Sequence, residues 1–214
     1  MNTLRERTES LGEEIANSVS HGVCFLAAAA SAPVLVHSAV RHGGVARIAG
    51  ASVFAAAMVL MYLTSTLYHA LPRSRAKQVF QVLDRAAIFL MIAGTYTPFT
   101  LGVLRGTWGW TLFGIVWSLA LAGIVLTAAG GIRYPKLTTG LYLAMGWLLL
   151  IAVKPLWSRM PSEGLLWLSA GGIAYTVGVV FYAVKRVRYS HFIWHLFVMT
   201  GTACHFIAVL RFAA

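Results

Sequence analysis

The sequence predicts an all-α, polytopic membrane protein: a seven-transmembrane-helix bundle with its N-terminus in the cytoplasm and its C-terminus outside. Three observations lead there. Of the 214 residues, 59% are hydrophobic and 11% charged, against roughly 45–50% apolar and 25% charged in soluble domains. The apolar residues gather into stretches of about 18 or more, enough to cross a hydrocarbon core of about 30 Å at a rise of about 1.5 Å per residue. Lys and Arg, finally, divide unequally between the two sides of a seven-span arrangement.

The spans are expected at 19–40, 46–70, 84–103, 107–128, 137–154, 164–184 and 190–212, each bounded by charges, Gly or Pro where the chain turns. Together they form one domain over residues 1–214. With the N-terminus inside, eleven Lys and Arg fall on the cytoplasmic side, whereas Arg41, Arg47, Arg105, Lys154, Arg159 and Arg211 fall on the other. Trp108, Trp110, Trp147, Trp157 and Trp167 lie mostly near span ends, as an aromatic belt requires. The short link at 104–107 predicts a tight antiparallel hairpin, and Pro98 predicts a bend in the third helix beside Thr and Tyr hydroxyls.

Residues 1–16 lack the basic start, short apolar region and small-residue cleavage site of a signal peptide, so they read as mature protein, and 1–18 as a short interfacial or frayed segment. Ser10 with Glu13 makes a capping-box pattern, and Leu4, Leu11, Ile15 and Val19 recur at near-helical spacing. That predicts a short interfacial helix before the first span, with a frayed tail up to Leu11 as the alternative. The net charge of +11 resides in short gaps between spans. It therefore points to topology and lipid headgroups as partners, not to nucleic acid. Cys24 and Cys204 sit in apolar stretches and read as packing residues.

The chemistry is concentrated at the cytoplasmic face. Ser65 and His69 lie four residues apart at the end of the second span, Asp84 opens the third, and His191 and His195 form an i,i+4 pair opening the seventh. Ionisable groups inside spans are rare and costly, and by default mark function. Three imidazoles with a fourth position left open describe a catalytic rather than a structural zinc site, so His69, His191 and His195 are the expected Zn2+ ligands. Asp84 is the expected general base and acid, and Ser65 a supporting hydrogen-bond donor or substrate contact.

Each residue also has a plainer reading. The seventh-span histidines can serve bundle packing, Asp84 can pair with Arg85, and Ser65 can bond its own backbone. His205 lies about 15 Å beyond His195 along the same helix and cannot share its ion. It is expected to be buried or cavity-lining. His21 is expected in an outer shell of the site, and His37 and His42 in solvent.

These residues are similar to the hemolysin III group of the progestin and adipoQ receptor family over nearly the entire chain. The resemblance rests on residues 13–22 (EEIANSVSHG), 65–72 (STLYHALP), 84–89 (DRAAIF), 93–99 (AGTYTPF) and 191–195 (HFIWH). It implies seven helices with the N-terminus inside and a zinc held by His69, His191 and His195. It also implies that Asp84 contacts the zinc-bound water and that Ser65 is the serine of the Ser-x-x-x-His motif. Receptors of the family look like ceramide-type amide hydrolases, which implies a zinc-dependent hydrolase of a lipid amide or ester. The chain departs from those receptors in lacking a long N-terminal cytoplasmic domain, which argues against a hormone-receptor role. A pore-forming, hemolysin-like protein and a membrane-homeostasis protein with structural zinc are the rival readings; haem binding and proton-coupled transport are weaker ones. High Ala content and Arg-rich loops suggest a bacterial plasma membrane.

Overall fold

The computed structural model describes residues 9–130, 134–184 and 187–214. Seven segments among them are long and apolar enough to cross a membrane, and the described residues contain no strand. Leu4, and Arg5, Arg7, Arg133, Lys185 and Arg186 of the charge count, lie outside the described residues.

Helix α1 runs Leu11–His42. The anticipated capping box starts it: the Glu13 N–H donates to Ser10 Oγ at 3.4 Å, and the Ser10 N–H donates to the Glu13 carboxylate at 2.9 Å. No Gly-Pro break follows, so the expected interfacial helix and first span are one 32-residue helix. Leu11, Ile15 and Val19 are exposed, and the same stripe continues through Val23 and Leu26. The periodicity read as interfacial is therefore the outward face of the first span.

Helix α2 (Val45–Ala70) packs on α1, and α3 (Arg75–Pro98) packs in turn on α2, as successive hairpins. Ser74 caps α3 by accepting the Lys77 N–H at 3.2 Å, so the helix begins nine residues before Asp84. Asp84 thus sits in the third turn of α3 and does not open it, because a side-chain cap outweighs the polar composition of those turns. A Cβ on Gly94 would lie 2.6 Å from that of Ala57, so α2 and α3 approach through small residues.

Beyond Pro98 the helix widens into a π-helix over Phe99–Leu104. The Thr97 hydroxyl donates to the Ala93 carbonyl at 2.8 Å, and Thr100 donates to those of Tyr96 and Thr97, both at 3.1 Å. These hydroxyl bonds brace the backbone on both sides of the proline, and the expected break occurs without ending the span. Arg105 alone, at φ 44°, then turns the chain into α4 (Gly106–Ala128).

The fifth span was expected as one helix over 137–154 but has three parts: α5 (Pro135–Gly146), a 3-10 turn (Leu148–Ala152) and α6 (Val153–Trp157). The hydroxyl of Tyr96 bridges the break. It donates toward the Met145 and Gly146 carbonyls at 2.8 and 2.9 Å and accepts the Leu149 N–H at 2.9 Å. Irregular backbone at membrane depth is tolerated where such a partner exists. Helices α7 (Ser162–Ala183) and α8 (Ser190–Phe212) complete the bundle, with α8 packed on both α7 and α1.

Candidate metal centre

The last turn of α2 and the first two turns of α8 deliver three imidazoles to one place. One donor nitrogen each from His69, His191 and His195 lies within 4.8 Å of the other two. Ring centroids are separated by 5.0 Å for His69–His191, 5.1 Å for His69–His195 and 4.7 Å for His191–His195. His69 and His195 are 4% and 2% exposed, and His191 is half-buried. The four-residue spacing sets His191 and His195 on one face of α8. The Tyr189 N–H donates to Glu13 Oε1 at 2.7 Å, which ties the start of α8 to the first turn of α1.

The chain around the start of α1 engages the Nδ1 atom of every one of these rings. Glu14 Oε2 lies 2.8 Å from Nδ1 of His69, Glu9 Oε1 lies 3.2 Å from Nδ1 of His191, and Ser20 Oγ lies 3.4 Å from Nδ1 of His195. Such partners fix the tautomer and leave Nε2 as the donor toward a metal. The buried Nε2 of His69 has no hydrogen-bond partner among the described residues. Glu14 is itself held by Lys77, whose Nζ donates to Oε1 at 2.8 Å. Asn17 Nδ2 donates to Glu9 Oε2 at 3.1 Å. Burial pushes the Glu9 carboxyl above its ordinary range, and His69 offsets part of that rise.

Reading the sequence alone missed the orienting roles of Glu9, Glu14 and Ser20. A signal for the acids was present. Glu9, Glu13 and Glu14 are half of the six acids in the chain and fall within six residues, at the mouth of a helix that otherwise needs few charges.

His21 comes closer to the centre than an outer-shell position implied. Its ring stacks on His195 with centroids 3.6 Å apart and planes inclined by 9°. Its Nδ1 lies 2.8 Å from Ser65 Oγ, so Ser65 is engaged across the α1–α2 interface rather than with its own backbone. Asp84, Ser65, His191 and His195 line one cavity of about 170 Å³. All five residues singled out in the sequence therefore meet at one end of the bundle. The cavity continues between apolar walls, including Met61, Ile88, Leu143 and Val198, to Tyr175 and His205. His205 is buried and stands apart from the three, its Nε2 3.2 Å from the Leu168 carbonyl. His37 and His42 are exposed.

A profile of the family described as "Haemolysin-III related" matches residues 10–206. The chain belongs to this family. Among its relatives, the "Hemolysin-3 homolog" of Bacillus subtilis (strain 168) is 44% identical over 201 residues, 94% of each chain. The "Hemolysin-3" of Bacillus cereus is 41% identical over 203 residues, covering 95% of this chain and 93% of the relative. The human "Monocyte to macrophage differentiation factor" is 27% identical over 206 residues, covering 88% and 82%. No solved structure matches.

In this haemolysin-III-related membrane protein the histidine and glutamate cluster can hold a metal ion. Two donor sets meet the distance requirement: His69, His191 and His195, and Glu9, Glu14 and His69. The second set competes for His69 Nδ1, which Glu14 already engages. The first leaves the unpartnered Nε2 of His69 for the ion and keeps both carboxylates as orienting groups, so it fits a metal better.

Proposed function

We propose that this haemolysin-III-related protein is a zinc-dependent hydrolase of a lipid amide or ester, acting at the cytoplasmic face of a bacterial plasma membrane. The observation that carries the reading is the apolar cavity opening directly on His191, His195 and Asp84. A metal cluster with only a structural task has no need of an apolar cavity beside it.

His69, His191 and His195 would hold the zinc, three imidazoles being the donor set of a catalytic rather than a structural site. A bound zinc would supply Lewis acidity toward a carbonyl or water. Asp84 takes the proton from the attacking water on its carboxylate and returns it to the leaving amine or alkoxide. Ser65, held by His21 at 2.8 Å and lining the same cavity as Asp84, supports that carboxylate. The apolar walls bind the acyl chain and exclude bulk water, so the reacting carbonyl is positioned by its tail.

The test pairs metal analysis with a lipid-hydrolysis screen of the wild type and His195→Ala. About one zinc per chain is expected, with metal and turnover lost together in the variant; full turnover in metal-free protein refutes the reading. A second reading, membrane lysis, is favoured by the name of the Bacillus cereus relative, "Hemolysin-3". Dye release from liposomes that persists after replacement of all three histidines would select it.

A further inference from the structure

At the end of the bundle opposite the histidines, three arginines converge on one depression. Arg47 comes from the first turn of α2, Arg105 from the link between the π-helix and α4, and Arg159 from the loop joining α6 to α7. Gly102, Val103, Phe212 and Ala213 complete its wall. Like charges from three separate junctions have thus been folded together, an arrangement that is unfavourable unless something neutralises it.

Among the described residues no carboxylate side chain does so: none of the three arginines pairs with one, and Glu163 is taken by Arg211 at 2.7 Å. Arg105 is also positioned. Its backbone at φ 44°, ψ 166° is a conformation that L residues rarely adopt, and its Nε donates to the Gly102 carbonyl at 2.8 Å. That bond holds the Arg105 guanidinium at the depression it lines and leaves its other N–H donors to a ligand.

We propose that this depression binds a phosphate group, free or carried by a lipid headgroup. Guanidinium forks match phosphate oxygens two at a time, which suits a tetrahedral anion better than chloride. All three arginines stand at span ends, the depth of headgroups, where basic pockets between membrane helices hold anionic lipids. The site shares no residue with the histidine cluster and does not depend on the hydrolase reading.

The test uses the full-length protein, delipidated in a neutral detergent and titrated by calorimetry. One arm adds inorganic phosphate and the other a short-chain phosphatidylglycerol, with chloride and a short-chain phosphatidylcholine as controls. Saturable binding in at least one phosphate arm is expected, weakened about tenfold or more in Arg47→Gln/Arg159→Gln and unchanged in Arg41→Gln. Saturation by inorganic phosphate identifies the free anion as a sufficient ligand; saturation by phosphatidylglycerol alone identifies the headgroup. Equal affinity of wild type and the double variant, or no saturable binding in either arm, overturns the proposal. Should the double variant not fold, Arg105→Gln supplies the same comparison.

Discussion

Glu14 Oε2 and Nδ1 of His69 lie 2.8 Å apart across the interface of α1 and α2. Lys77 grips the other oxygen of the same carboxylate at 2.8 Å, so α1, α2 and α3 meet on one charged group. The first helix is thereby part of the candidate metal centre even though it supplies none of the three imidazoles.

Glu14→Gln should therefore weaken zinc binding roughly 10- to 100-fold, the range for removal of an outer hydrogen-bond partner of a metal-bound histidine. Competition against a chelator of known affinity measures it. Unaltered affinity would remove the orienting role of α1.

Asp84→Asn should separate metal from turnover. Because Asp84 lines the cavity without belonging to either donor group, the variant should keep its zinc and lose about 100- to 10,000-fold in kcat. Parallel metal analysis and single-turnover kinetics on the lipid substrate read both quantities. Loss of zinc in this variant would recast Asp84 as a ligand.

Tyr96→Phe should destabilise the bundle by about 1–3 kcal/mol, since it strands buried carbonyls and an N–H at the break in the fifth span. The Tyr96 hydroxyl touches Met145, Gly146 and Leu149. A lowered thermal midpoint in detergent, with zinc content preserved, is the expected result, and an unchanged midpoint contradicts it.

Gly171→Ala tests the packing around His205. The added Cβ would stand 2.3 Å from Cδ2 and 2.4 Å from Nε2 of that ring, so His205 must move off the Leu168 carbonyl. Overpacking of this kind costs about 1–3 kcal/mol. Thermal unfolding should register it, while metal affinity should hold, because the ring lies about 15 Å along α8 from His195.

Much of the candidate site was legible in the sequence because helical spacing is a local property. His191 and His195 share a face by their four-residue separation alone, and Ser65 and His69 do likewise. Once hydropathy divided the chain into seven spans, the alternation of direction brought those pairs and Asp84 to one end. The partners of the rings were not legible. Glu14 and His69 are 55 residues apart, and Glu13 and Tyr189 are 176 apart. No periodicity links such residues, and the acids read more simply as the polar start of a helix. The start of α3 was misplaced for a related reason: its amphipathic first turns carry too many charges to register as a span, yet the Ser74 cap makes them helical.

The seven-span division, the membrane setting and the residue types available for metal chemistry were determined by the sequence by itself, because hydrophobic length and helical period act within one segment at a time. Tertiary structure alone decided how those segments meet. It set which nitrogen of each imidazole faces inward, that His21 stacks on His195, that Tyr96 closes the break in the fifth span, and that Arg47, Arg105 and Arg159 share one depression. Each of these depends on distances between helices, which arise when small residues let backbones approach and remote polar groups find partners.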